Sequence, residues 1–365
     1  MLEARAEAPF AAAHEDAAPR LVTWRSLAPS YGLAALATLL MGLFAVSWGT
    51  VHIPPLAVAE ILLGRLPLVP AGDHPATWSA IVWDIRVPRV VLAGLVGATL
   101  AYSGAAYQGV FRNPLAEPYL IGVAAGASVG ATLVIISPLA VTAGVLSPLP
   151  PAAFAGALVA VGIAWMLARA GRGVSTVSLI LSGVAVSSLG TSVVTYLMLT
   201  YTDRTLSILN WVLGGFNTAT WTRTQILLPY AAACGALLLP YARTLNVLQL
   251  DEDEARRLGV NVERVKLVVL GLASLATAAA VSVSGLIGFV GLVVPHTVRM
   301  VWGPDHRRLL PLSAFLGASF LIAADTIARS ADAGREVPIG VITALVGAPF
   351  FLFLLRRQQR ARVMP

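Results

Sequence analysis

The 365-residue chain is 57% hydrophobic and 12% charged. Soluble domains carry about 25% charged residues, so this composition defines an integral membrane protein that uses nearly its whole length to cross the bilayer. The net charge of +7 is almost all arginine, with Lys266 the only lysine, and in so apolar a chain it reports topology rather than nucleic-acid binding.

Residues 1–29 contain Glu3, Glu7, Glu15, Asp16 and three arginines, and read as a cytoplasmic surface tail. The apolar run from Tyr31 to Trp48 lacks a following small-x-small cleavage site, which predicts an uncleaved first helix. A crossing helix needs about 20 apolar residues. On that basis helices are predicted at 31–50, 89–111, 119–137, 151–169, 176–200, 223–242, 265–284, 286–302, 309–329 and 337–355. The expected fold class is an all-α membrane protein of about ten spans. The membrane domain is placed at 30–356, its longest polar loop at 246–264, and a cytoplasmic tail at 357–365. Residues 204–216 form a shorter amphipathic segment at one face, and Gly285, Gly288, Gly291 and Pro295 interrupt the pair of helices around 265–302. Cys234 lies in an apolar run, allows no internal disulfide and reads as a small core residue.

With the N-terminus cytoplasmic, one face collects 18 basic residues. The other collects the remaining 7: Arg65, Arg86, Arg89, Arg204, Arg223, Arg329 and Arg335. The asymmetry places both termini inside. Stretches such as Gly94 to Gly97 and Gly122 to Gly126 suit close helix packing in lipid. The runs 89–118 and 265–295 share a faint placement of glycine and serine, as inverted repeats do in transporters.

Polar positions then define candidate sites. The turn Arg112-Asn113-Pro114-Leu115-Ala116-Glu117-Pro118 separates two apolar runs, a place where lipid-facing backbone is not tolerated. It reads as a loop at a membrane surface or lining a pathway. In Leu250 to Val260, acidic residues precede basic ones and Gly259 ends the run, the order of a short helix compensated at both dipole ends. Leu250, Ala255 and Leu258 offer it a small apolar face. The segment is either a solvated surface helix or a docking element for a cytoplasmic partner. No Gly-Lys-Ser/Thr sequence surrounds Lys266, so the chain carries no P-loop. His296 and His306 have no Cys/His cluster around them and read as structural or surface residues rather than metal ligands.

Several motifs together resemble the FecCD permease family, the membrane subunits of type II ABC importers for ferric siderophores, haem and cobalamin. They are Asp84 to Arg89, Gly97 to Gln108, Arg112 to Pro118 with Leu120 to Val123, Asp251 to Val260, and Gly285 to His296. Asp305 to Arg307, Ala324-Asp325 with Ala328-Arg329, and Glu336 to Gly340 complete the match, which spans about 30 to 356. The resemblance implies a homodimer in the bacterial inner membrane. It also implies two separate ATP-binding subunits and a periplasmic or lipid-anchored substrate-binding protein, with no cofactor, metal site or catalytic residue in this chain. By the same resemblance Arg86, Arg89 and Arg329 dock the binding protein, with lipid-headgroup anchoring as the alternative. Asn113, Leu115 and Thr176 form the cytoplasmic gate. Asp251, Glu252, Glu254, Ala255, Arg256, Leu258 and Gly259 couple to the ATPase, and Ser103 and Gln108 line the pathway or make interhelical hydrogen bonds. Iron chelates, siderophore or haem, are the first expected cargo and cobalamin the second, although Gly214-Gly215-Phe216 resembles the cobalamin member. An ion-coupled secondary transporter would need intramembrane carboxylates, for which Asp325 is the one candidate. An enzyme would need a nucleophile–base or paired-carboxylate arrangement, and the sequence offers none.

Overall fold

The computed structural model describes residues 24–49, 51–65, 74–138, 147–170, 173–331 and 336–363. In chain order the helices are α1 (Trp24–Ser47), α2 (Pro55–Leu63), α3 (Ala76–Ala80), α4 (Val87–Phe111), α5 (Val123–Ile136), α6 (Leu149–Ala168), α7 (Thr176–Thr200) and α8 (Thr205–Val212). They continue as α9 (Trp221–Leu238), α10 (Ala242–Leu248), α11 (Glu252–Arg257), α12 (Val262–Ser284), α13 (Val290–Trp302), α14 (His306–Ala328) and α15 (Ile339–Val363). A two-residue antiparallel ladder, Arg169–Ala170 with Gly173–Val174, joins α6 to α7. Nearly all of the tail placed at 1–29 lies outside the described residues, while the segment read as a C-terminal tail continues α15 to Val363.

Each of the ten predicted spans has a helix in the structure. Among the described residues seven continuous helical stretches are long and apolar enough to cross a bilayer, Ala28–Ser47, Ala76–Phe111, Leu149–Ala168, Thr176–Thr200, Trp221–Leu248, Val262–Ser284 and His306–Ala328. The other three are the shorter α5 and α13, and α15, whose apolar part is only Ile339–Phe353. The largest difference from the sequence reading lies before α4, where the helix is predicted to begin at residue 89. Instead α3 runs into α4 through a π-helical segment, Ile81–Arg86. Pro88 has no N–H for the carbonyl of Asp84, and a wider turn lets the helix pass that defect.

Helix α4 is buried along nearly its whole length and forms the axis of the bundle. Small residues permit this. A methyl group on Gly97 would collide with the Gly317 carbonyl of α14, and one on Gly104 with the Gly291 carbonyl of α13. Without those methyl groups the helix backbones pack in direct contact, which is how helices associate where no hydrophobic force separates them from lipid. By contrast α7 turns Leu181, Val184, Leu189, Tyr196 and Leu199 outward, a face suited to lipid or another apolar surface.

Two long-helix, short-helix units run in opposite directions. Helix α4 ends beside the start of α12, as the Arg112–Glu252–Lys266 contacts show. The N-terminal ends of short α5 and α13 meet inside the bundle. Tyr119 Oη donates to the Ile287 carbonyl at 2.9 Å and accepts from the Ile287 N–H at 3.1 Å. Glu117 Oε1 accepts from the Phe289 N–H at 2.8 Å. Thirteen residues of α13 rise about 20 Å, so this junction lies well inside a hydrocarbon core about 30 Å thick. Irregular backbone at that depth must be satisfied by protein, and these side chains satisfy it.

Candidate functional site

The polar side chains gather at the two ends of the bundle. At one end the finish of α1, the start of α4 and the finish of α14 converge on Asp325, which is 1% exposed. Arg89 donates to it through Nε and Nη2, at 3.0 and 2.8 Å to Oδ1, and reaches Glu336 Oε1 through Nη1 at 2.8 Å. Arg329 places Nε 3.5 Å from Asp325 Oδ2 and donates through Nη2 to the Ala45 carbonyl at 2.6 Å. Arg86, buried, donates to the carbonyls of Val46 at 2.8 Å, Ser47 at 3.1 Å and Val51. It thereby satisfies the open C-terminal carbonyls of α1. Gly49 allows this approach, since a methyl group there would lie 2.6 Å from Arg86 Nη2. The three arginines named from sequence are thus brought together, and each is already engaged within the chain. Asp325 is their counter-ion, not a free intramembrane carboxylate. Glu336 is the half-exposed member of the cluster.

At the opposite end, α11 is a short helix with a complete set of caps. Asp251 Oδ1 accepts from the Glu252 N–H at 2.8 Å. Gly259, at φ +84°, ends the helix with Val260 N–H bonded to the Ala255 carbonyl and Gly259 N–H to that of Arg256. This pairing closes the last turn, and a left-handed residue there suits glycine. The expected apolar face is split. Ala255 is fully buried, whereas Leu250 and Leu258 are 57% and 63% exposed. A six-residue helix has one inward position, and alanine occupies it, so a docking surface on α11 consists of Leu250, Leu258 and the exposed Glu254. Arg112 binds α11 from α4: its Nη1 donates to Asp251 Oδ1 at 2.8 Å. That bond, with the Glu252 N–H, holds the Asp251 carboxyl below its ordinary range.

Arg112 separates two cavities. One of about 600 Å³ is lined by Phe111, Arg112, Ser175, Thr176, Val177, Glu252, Arg256, Glu263 and Lys266. The other, about 560 Å³, is lined by Gln108, Arg112, Asn113, Pro114, Asn246, Gln249, Arg299, Pro304 and Asp305. Asn113 and Thr176 therefore fall on different sides of Arg112, and no described hydrogen bond joins Thr176 to Asn113 or Leu115. Asn113 Oδ1 accepts from the Leu115 N–H at 2.9 Å, which stiffens the turn. Ser175 caps α7 by accepting from the Ser178 N–H at 3.0 Å and so fixes where Thr176 begins the helix. In the second cavity burial raises the Asp305 carboxyl, but bonds from Arg307 and Asn246 outweigh it and leave it below the ordinary range.

Ser103 and Gln108 lie inside the chain rather than on an open surface, because α4 is enclosed by its neighbours. Gln108 Nε2 donates to the Gly291 carbonyl at 3.2 Å, and its Oε1 accepts from Arg299 Nη2 at 2.9 Å. Ser103 Oγ has no partner among the described residues. His296 packs edge-on to Phe350, and His306 Nδ1 lies 2.8 Å from Asn246 Oδ1. Among the described residues no group of three His, Cys, Asp or Glu is placed to hold a metal ion. Sequence reasoning missed Lys266 as a site residue. It is 5% exposed and lies 2.8 Å from Glu252 Oε1. A lone lysine inside an otherwise apolar helix was the available signal.

The bundle thus carries an arginine cluster at one end and a capped short helix flanked by exposed leucines at the other. The chain belongs to the FecCD transport family, whose model matches residues 37–357. It is 49% identical to the cobalamin import system permease protein BtuC of Halobacterium salinarum over 288 residues, covering 79% of this chain and 76% of that protein. It is 42% identical to the hemin transport system permease protein HmuU of Yersinia pestis, covering 80% and 87%. Identity to the Fe(3+) dicitrate transport system permease protein FecD of Escherichia coli K12 is 38%, covering 83% and 95%. Among solved structures, a metal-chelate type ABC transporter in an inward-facing conformation superposes with a TM-score of 0.78 at 29% identity, covering 90% and 99%.

Proposed function

We propose that this chain is the membrane-spanning permease of an ATP-driven importer for a metal chelate, working as a homodimer with two separate ATPase subunits and an external binding protein. The observation that carries this reading is α11. It offers two exposed leucines to a partner and is tied by ion pairs to the end of the bundle's central helix. Its end of the bundle is the cytoplasmic one, where most arginines collect. The Asn113–Leu115 turn forms the gate there, facing Thr176 of the second copy. The opposite end receives the binding protein. There Arg86, Arg89 and Arg329 outnumber Asp325 and Glu336, which leaves a positive field for a partner's carboxylates. The half-exposed Glu336 is the group such a carboxylate would replace on Arg89. Alternatively, the same arginines serve only to hold α1, α4 and α14 together, and their complete internal pairing favours that role for Arg86.

Within the metal-chelate class we propose a corrinoid before haem or a ferric chelate, on the likeness to the 49% identical cobalamin permease. This reverses the order expected from sequence. Asp325, paired with Arg89 and Arg329, and Glu117, bonded to the Phe289 N–H at the start of α13, both have structural partners, which weakens an ion-coupled reading. Vesicles containing the permease, its ATPase and its binding protein should accumulate labelled cyanocobalamin in preference to haemin or a ferric hydroxamate. Preferential accumulation of the hydroxamate would return the assignment to iron.

A further inference from the structure

Charge joins α11 to the rest of the cytoplasmic end through Asp251, Glu252 and Arg256, the last to Glu263 at 3.6 Å, and Glu252 is the residue that reaches both α4 and α12. Glu252 Oε1 lies 2.8 Å from Lys266 Nζ and 3.8 Å from Arg112 Nη2, and Oε2 lies 3.6 Å from Arg256 Nη2. The arms differ in kind. Lys266 is nearly buried in α12, so its ammonium needs that carboxylate, and the arm keeps α11 attached. Arg112 and Asp251 are 36% and 58% exposed, and a solvent-screened pair of that kind adds little to stability. The second arm therefore contributes little to holding the fold, and it can rearrange during a transport cycle.

Arg112 is also the first residue of the gate turn. It stands in the left-handed region at φ +50°, a conformation that a branched or long side chain rarely adopts. The turn behind it is braced. Asn113 Oδ1 accepts from the Leu115 N–H, the Asn113 carbonyl accepts from the Ala116 N–H at 3.1 Å, and Glu117 is bonded to Phe289. A braced turn moves as a unit when its first residue is displaced. The cavity of about 560 Å³ lined by Arg112, Asn113 and Pro114 gives it room.

We infer that Arg112 and Glu252 are positioning residues that carry displacement of α11 into the gate turn. ATP-driven motion at the docking helix reaches Leu115 through the Arg112 guanidinium and not through the ATPase contact itself. This rests on the reading of α11 as the ATPase-docking element and of Asn113–Leu115 as the gate.

The test needs no knowledge of the cargo. A nitroxide is placed on Leu115→Cys in a Cys234→Ser background, and the permease is reconstituted with its ATPase. The distance between the two copies' labels is read with and without ATP and vanadate. With Arg112 intact, nucleotide shifts that distance. In Arg112→Ala the shift falls to less than half, while ATPase binding and hydrolysis stay within about twofold, and Arg112→Lys restores it. Glu252→Gln gives the same loss, with retained ATPase binding showing that α11 stays attached without the charged pair, and stands in where Arg112→Ala does not accumulate. A full shift in both Arg112→Ala and Glu252→Gln overturns the inference. Loss of ATPase binding in Arg112→Ala also overturns it, since Arg112 would then be a docking contact. No shift with Arg112 intact overturns the gate reading instead.

Discussion

The two ends of this bundle use the same chemistry, arginine against carboxylate, in opposite settings. At the Asp325 end the charges are interior, multiply bonded and shared among three helices. At the α11 end they are largely exposed and sit beside two cavities. A buried, hydrogen-bonded cluster is costly to open, whereas an exposed pair exchanges partners at little cost. The contrast separates a fixed platform from a part that moves.

The largest expected effect breaks the fixed end. Asp325→Asn leaves Arg89 and Arg329 without their shared counter-ion and should lower stability by about 3–5 kcal/mol. Thermal unfolding in detergent checks this, and a change under about 1 kcal/mol would mean that the cluster is not structural. Arg86→Met should cost less, about 1–3 kcal/mol, because three carbonyls at the end of α1 lose a donor. The same unfolding measurement reads it.

The other end should lose partners before it loses stability. Leu258→Arg, on an exposed side chain, should weaken ATPase binding by about 1–2 kcal/mol with an unchanged unfolding temperature. Ala255→Arg should do the reverse and unfold the α11 region, because the alanine is fully buried. Titrating the ATPase onto each variant separates them, and equal loss of stability in both would contradict the split face.

The smallest effect is a pH dependence. The Asp251 carboxyl is depressed from its ordinary value of 3.8, so its contribution is complete above that value and is lost as pH falls through the depressed one. Comparing Asp251→Asn with the unmodified chain near pH 5 and near pH 3 should show a stability difference that shrinks on acidification. A difference that grows would reverse the sign of this linkage.

The ends were unequally legible in the sequence. The order of charges in 251–257 and Gly259 marked α11 and its stop, because caps and dipoles act within a few residues. The inward turn of Ala255 was hidden, since six residues cannot define a helix face by periodicity. The cluster at Asp325 joins residues 236 apart, and no local pattern announces such a pair. Glycine and proline around 285–295 announced that α13 would be interrupted, but not that Glu117 and Tyr119 would satisfy its start. The helical turns before residue 89 were not legible, because a π-helical segment, Ile81–Arg86, carries the helix past Pro88. Ser103 and Gln108 read as pathway residues because polar groups in lipid face inward. In the structure Ser103 is packed inside the bundle, while Gln108, also buried, lines the cavity of about 560 Å³.

The most direct test of the account compares energy sources. Vesicles carrying the permease with its ATPase and binding protein are loaded with ATP and offered cyanocobalamin, with ionophores present to collapse every ion gradient. The account predicts uptake that persists with ionophores and stops when ATP is replaced by a non-hydrolysable analogue. Uptake by the permease alone, driven by an imposed proton or sodium gradient and abolished by ionophores, would contradict it.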